Sequence, residues 1–270
     1  MSADRLTHLA QVNIGTLVAP LDDPRIDDFR NALDEVNALA ELAPGFVWRL
    51  QTEEGNATAI QAFPDPLTIV NLSVWESPAA LRAFVFDGLH RAFLRRRREW
   101  FVAAERTTAL WWIPAGTQPT VDDAKARLAF LATYGDSPYA FGLQRTHPVL
   151  TIEPTGDHAG NCDAGDRVQL RAELDGVAVG RGGYRVLDHV TAEIDELEVD
   201  PEHRRAKLGA AILANIEHRA RGAGVKRLVV ACPGDSSAGL GLWARAGFVP
   251  TGPWAEHVDT TGLACFDKPL

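Results

Sequence analysis

Cysteine is scarce in this 270-residue chain. Cys162, Cys232 and Cys265 stand apart, at spacings that suit neither a disulfide framework nor a metal site. Their expected state is the reduced thiol of a cytoplasmic protein. Long apolar runs are missing as well. No window approaches the roughly 18 uninterrupted apolar residues of a membrane span. Met1-Ser2-Ala3-Asp4-Arg5 also lacks the basic-then-apolar pattern of a signal peptide. Positive charge is in deficit, with a net −9 spread over both halves. Residues 1–145 carry 14 basic and 18 acidic groups, and residues 146–270 carry 13 and 18. Such a chain is a poor general partner for nucleic acid or for a membrane. No repeat or low-complexity tract appears. The 46% hydrophobic and 23% charged content is that of a soluble globular protein, long enough for two domains.

The first half reads as strands alternating with helices. Residues 7–16 alternate as a strand. A helix after Pro20-Leu21-Asp22-Asp23-Pro24 sets Phe29, Leu33, Val36, Leu39 and Ala40 on one face. Strands follow at Phe46–Gln51 and Leu67–Trp75. One long helix is expected from Ser77-Pro78 to about Phe101, with Ser77 as N-cap. Thr107–Ile113 is a fourth strand and Val121–Ala132 a trailing helix. Tyr134 to Pro148 has the composition of a linker. The order β-α-β-β-α-β is the ferredoxin-like split arrangement, with helices on one sheet face and a partner expected on the other. Five of the seven tryptophans lie here, which favours a bulky core or interface and leaves room for a planar-ligand cavity. Arg95 to Arg98 run all round their helix as a solvated face.

The second half carries the chemistry. Hairpin strands flank the Asp175-Gly176 turn. An acidic, β-branched strand, Glu193-Ile194-Asp195-Glu196-Leu197-Glu198-Val199, then enters a basic turn, Arg204-Arg205-Ala206-Lys207-Leu208-Gly209-Ala210. The turn opens an amphipathic helix that ends near Gly222-Ala223-Gly224, and Leu228-Val229-Val230-Ala231 is the next strand. A cationic, small-residue turn at a helix start holds phosphates, because unpaired amides and the helix dipole both face the anion. A short helix from Ser236 to Ala246, Gly247-Phe248 and a final hairpin around Thr260-Thr261-Gly262 complete the chain.

The turn at Arg204–Ala210, with Ala246-Gly247-Phe248 beyond it, resembles the acyl-CoA-binding motif of the GCN5-related N-acetyltransferase (GNAT) family, whose turn reads Gln/Arg-x-x-Gly-x-Gly/Ala. The resemblance implies a mixed-sheet acyltransferase domain over 146–270 that uses acetyl-CoA and a small-molecule amine acceptor. It implies that Leu197, Glu198 and Val199 border a gap for the pantetheine arm. It further implies that Arg204, Arg205, Ala206, Lys207, Leu208, Gly209 and Ala210 hold the pyrophosphate, with Ser236 contributing from the next helix. Glu193 stands where histone-type members keep a catalytic base, with Glu196 or Glu198 as alternatives. Strand alternation sets Glu193 on the face opposite those two.

Two positions depart from the family pattern. Lys207 replaces the first glycine of the turn, and Trp243 replaces the tyrosine that commonly protonates the departing thiolate. Indole is no proton donor at neutral pH, so water, Ser236, Ser237 or no specific acid would serve. Family members also place two helices between their first strands. Here only about a dozen polar residues precede Val168, so the acceptor wall comes from the first half or stays open. A degenerate, non-catalytic CoA-binding or assembly protein is the alternative that these departures feed.

The first half, through Val74-Trp75-Glu76-Ser77 and the helix to His90, resembles the dimeric α+β barrel superfamily that includes antibiotic-biosynthesis monooxygenases. Its nearest likeness there is a family without assigned function. The resemblance implies a ferredoxin-like domain over 1–145, a homodimer, and an oxidative tailoring alternative in which Asn13, Trp75 and His90 matter and haem is bound through His90. The expected fold class is therefore α+β, an α+β barrel domain followed by an acyltransferase domain.

Overall fold

The computed structural model describes residues 6–86, 88–104, 107–156, 163–254 and 257–270, with the side chains at 88–90, 92, 94, 205, 237 and 238 outside that description. The chain divides into two compact units, Met1–His147 and Pro148–Leu270.

In the first unit, β1 (Thr7–Thr16), β2 (Phe46–Arg49), β3 (Thr68–Trp75) and β4 (Thr108–Pro114) form one antiparallel sheet in the order β2-β3-β1-β4. That sheet is compatible with the β-α-β-β-α-β expectation. Between the strands lie α1 (Asp27–Glu41), α2 (Pro78–Phe86) and α3 (Gly88–Trp100), and α4 (Val121–Tyr134) follows. The single helix expected over 78–101 is thus two helices, the second opened by Gly88, a poor helix former. Thr120 and Asp123 close a capping box at α4.

Leu9, Trp75, Leu81, Leu110 and Phe141 form a core on the α1–α2 side. Trp75 stacks on Phe84 and meets Phe46 edge-on. Its indole donates to Ser73 Oγ (3.0 Å), which in turn donates to Gln11 (2.8 Å). Trp75 is therefore a core residue with its polar atom satisfied.

The segment expected as a linker is packed instead. Ser137 Oγ accepts from the Tyr139 amide, Phe141 pairs with Leu110 of β4, and Tyr139, Ala140 and Phe141 are buried. Its turn satisfies its own polar groups and so leaves its aromatic residues free to bury. On the sheet's other face, Ala10, Val12, Leu72, Val74 and Trp111 are buried within the single chain. Arg127 of α4 lies over the Trp111 ring. Both faces of this sheet thus carry buried apolar side chains.

In the second unit, β5 (Leu150–Pro154), β6 (Arg167–Leu174), β7 (Val177–Val186), β8 (Thr191–Val199), β9 (Arg227–Pro233), β10 (Val249–Pro250) and β11 (Leu263–Pro269) make a sheet ordered β10-β11-β9-β8-β7-β6-β5. Only β8 and β9 run parallel, joined through α5 (Leu208–Gly222). Asp175 and Gly176 both take positive φ, the backbone of a tight β6–β7 hairpin. α6 (Ser237–Arg245) precedes β10.

α5 buries Leu208, Ala211, Ile212, Leu213, Ile216 and Ala220. It lies so close to β7 that a Cβ at Gly182 would run into Ile212. Lys268 of β11 donates to both carboxylate oxygens of Glu217 at 2.8 Å, a largely buried pair that ties α5 to β11. No helix among the described residues is long and apolar enough to cross a membrane.

Candidate functional site

The β8–β9 ladder pairs Thr191 with Arg227, Ala192 with Leu228, Glu193 with Val229 and Ile194 with Val230, and there it ends. Each strand continues with its other neighbour. β8 stays paired to β7 as far as Val199, and β9 to β11 as far as Pro233. A gap thus opens between Asp195–Val199 and Ala231–Pro233.

The break coincides with a β-bulge. Tyr184 pairs with Ile194 and Gly183 with Glu196, which leaves Asp195 as the extra residue. A bulge bends its strand and raises its twist, and here it turns β8 away from β9.

The bulge also corrects the expected facing of the carboxylates. Glu193, Glu196 and Glu198 lie opposite Arg185, Gly183 and Arg181, alternate residues of β7, so all three share one face. A regular strand would have set Glu193 against the other two. Arg181 bridges Glu196 (2.8 Å) and Glu198 (2.6 Å), and both carboxylates raise its pKa. They border a shallow depression with Thr155, Gln169 and Arg171.

Glu193 is 4% exposed and fully engaged. Arg185 donates to Oε2 at 2.8 Å, and His257 Nε2 lies 2.5 Å from Oε1. The imidazole meets Trp254 edge-on. The Asp195 carboxyl, paired to Arg167 at 2.7 Å, is pushed up by burial. Burial also raises the pKa of the Cys265 thiol, with Glu193 adding to it.

Beyond Val199, a 3₁₀ turn over Pro201–Ala206 leads to Lys207, which sits at φ 62°, ψ 20°. That is the left-handed conformation glycine reaches at no steric cost. Lys207, which replaces the first glycine of the family's turn, thus takes up the glycine conformation itself, with its side chain exposed. The first α5 bond runs from the Ala211 amide to Lys207 O, so the amides of Leu208, Gly209 and Ala210 have no acceptor within the helix. Lys207 makes no side-chain cap. A Cβ on Gly209 would rest 3.7 Å from Leu242 and 3.8 Å from Val199, which places the α5 start against α6 and the end of β8.

Leu197 and Val199 line the gap strand half-buried, Leu208 and Ala210 are buried, Ala206 is half-buried, and Arg204 is exposed. The Arg205 and Ser237 side chains lie outside the described residues. Ser236 caps α6, accepting from the Gly239 amide. Trp243 is buried, and its indole N–H finds no partner in hydrogen-bond geometry. The Cys232 thiol, raised mainly by burial, lies near enough to feel that N–H.

In the first unit a cavity of about 190 Å³ lies between α1, α3 and the sheet. Asn13 and Asn71, paired across β1 and β3, supply polar groups, and Phe29, Phe93, Trp100 and Phe101 supply rings. Asn13 donates to Thr108 Oγ1 at 2.7 Å. The side chain of His90, which haem would need, lies outside the described residues, as does Cys162.

Sequence reasoning missed Arg185 and His257. The acidic run of β8 contained one usable signal, since a carboxylate in an otherwise buried strand segment demands a cation. It does not say which one, and His257 is 64 residues away.

Residues 8–155 match the family described as a domain of unknown function (DUF3291), and residues 136–248 match the acetyltransferase (GNAT) family. No curated protein matches the chain. Among solved structures, it is similar to a GNAT family acetyltransferase from Elizabethkingia anophelis with acetyl-CoA bound. Identity there is 17% over 45% of this chain and 98% of that one, with a TM-score of 0.38. An IAA acetyltransferase from Bacillus cereus gives 17% identity, 45% and 99% coverage and a TM-score of 0.37. PaiA N-acetyltransferase from Thermoplasma acidophilum, in complex with coenzyme A, gives 19%, 39%, 62% and 0.35.

Proposed function

This chain belongs to the DUF3291 family and carries a GNAT acetyltransferase domain behind that region, and on that footing we propose that it moves an acetyl group from acetyl-CoA to an amine of a small molecule by direct transfer. The observation that carries the reading is the end of the β8–β9 ladder at Ile194–Val230, with the open start of α5 close to the end of β8.

The donor's diphosphate would meet the amides of Leu208, Gly209 and Ala210, with Arg204, Arg205, Ala206 and Lys207 around it. Its pantetheine arm would lie along Leu197, Glu198 and Val199, whose edge toward β9 makes no ladder bonds. The amine nitrogen attacks the thioester carbonyl carbon, the C–S bond breaks and CoA leaves as the thiolate. A base takes the proton from nitrogen. Glu193 or a group that it positions supplies that base. Water or Ser236, whose hydroxyl keeps its own proton while capping α6, protonates the thiolate in place of the missing tyrosine. The stretch between β5 and β6, residues 155–166, is too short for two helices.

The test is thiol release from acetyl-CoA with spermidine, tryptamine and amino-acid amides as acceptors. Release that depends on an amine supports transfer. Binding of acetyl-CoA with no release from any of them replaces it with the non-catalytic reading.

A second reading rests on the first-unit cavity. Asparagines facing helices in mid-sheet stand where a packed core would have apolar groups, and the surrounding rings suit a flat small molecule. The ferredoxin-like, monooxygenase-like assignment belongs with this reading. A Soret band on haem addition, lost in His90→Ala, would favour oxidative chemistry through haem.

A further inference from the structure

We propose that the base in this acetyl transfer is His257 Nδ1, with Glu193 as its positioning residue. The inference deepens the transferase reading and rests on it.

Glu193 is poorly placed to take a proton itself. It is 4% exposed, and each carboxylate oxygen already has a partner, Arg185 on Oε2 and His257 on Oε1. A carboxylate accepts hydrogen bonds only, so a neutral imidazole facing it must carry its proton on Nε2. The lone pair is then on Nδ1. Among the described residues nothing bonds to Nδ1, and the His257 side chain is 19% exposed against 5% for Glu193. The imidazole is the accessible end of the pair.

Position favours the same assignment. Glu193 lies one residue before the last pair of the ladder, at the fork of the gap. Its row on β7 is Arg185–Gly183–Arg181, whereas Gly180 and Gly182 face Ile212 of α5. The Arg185–Glu193–His257 cluster therefore lies on the face away from α5, opposite the amides that would hold the diphosphate. Donor and base would approach the fork from opposite faces, with the amine between them.

The step balances. The amine nitrogen bonds to the thioester carbon as its proton passes to Nδ1, the C–S bond breaks, and the thiolate departs. The imidazolium, facing the Glu193 carboxylate, returns the proton to solvent. Arg185 holds the second oxygen of Glu193 and fixes its orientation. The other titratable groups facing this cluster are Asp195 with Arg167, and Cys265.

The test uses the full chain, acetyl-CoA and the same amines. His257→Ala is expected to bind acetyl-CoA as the parent does, to lose about 100-fold or more in kcat, and to recover activity with added imidazole. Glu193→Gln is expected to lose less, with no rescue by imidazole. A Glu193→Gln loss larger than that of His257→Ala, or a failure of imidazole to rescue His257→Ala, overturns the proposal and returns the base to Glu193. Nitrogen-detected NMR of the parent supplies a readout independent of any acceptor. A protonated Nε2 with bare Nδ1, altered in Glu193→Gln, supports the dyad, and the opposite tautomer overturns it. Failure of acetyl-CoA to bind the parent instead defeats the transferase reading, so the two failures are distinguishable.

Discussion

Ile194 and Val230 are the last residues to pair across β8 and β9, and the next residue of β8, Asp195, is bulged. One extra residue thus ends the ladder and turns three glutamates to a common face. The opening required for a thioester arm and the row of carboxylates beside it come from the same local irregularity.

The strain at Lys207 predicts its own relief. A non-glycine residue in the left-handed region costs roughly 1–2 kcal/mol, part of which glycine returns by loosening the unfolded chain. Lys207→Gly is expected to raise stability by about 0.5–1 kcal/mol in urea unfolding and to keep acetyl-CoA binding. A loss of stability would mean that Lys207's own contacts outweigh its backbone strain.

Lys268 and Glu217 form a pair that is 19% and 11% exposed. Lys268→Met leaves the largely buried Glu217 carboxylate with the longer Arg221 contact at 3.5 Å and is expected to cost about 2 kcal/mol at pH 7. Adding Glu217→Leu should recover much of that loss. Chemical denaturation of the single and double variants checks this, and equal losses in both would show that α5 does not depend on the pair.

Asp23 is lowered to about 2, chiefly by the Arg25 side-chain bond and then by the Arg25 amide that it accepts. A carboxyl depressed on folding stabilises above its unfolded pKa, near 3.8, and loses that effect as pH falls through about 2. Asp23→Asn is expected to lower the melting temperature at pH 6 and to match the parent near pH 2. A gap that persists unchanged at low pH would contradict the assignment.

Much of this was legible in the chain. The basic turn at 204–210 is contiguous, so its residues announce a helix start without any tertiary knowledge. The strand–helix order of the first unit follows from short-range periodicity in the same way. The bulge at Asp195 is not legible, because an acidic, β-branched run reads as plain alternation and only pairing to β7 exposes the extra residue. His257 escaped for a related reason: its partner is chosen by the sheet, not by spacing. Tyr139 and Phe141 were hidden by the glycine, serine and proline around them, which marked a turn but not its burial. The cavity floor was equally obscure, since Asn13 and Asn71 become neighbours only through the β1–β3 register.

The central claim is that the α5 start and the gap beside it hold acetyl-CoA, and calorimetric titration of acetyl-CoA tests it most directly. The parent and Gly209→Ala, whose added methyl has ordinary contacts 3.7 Å from Leu242 and 3.8 Å from Val199, are expected to bind in the micromolar range. Gly209→Trp, which fills that space, is expected to bind at least about tenfold more weakly. No heat and no melting shift with the parent would contradict the account.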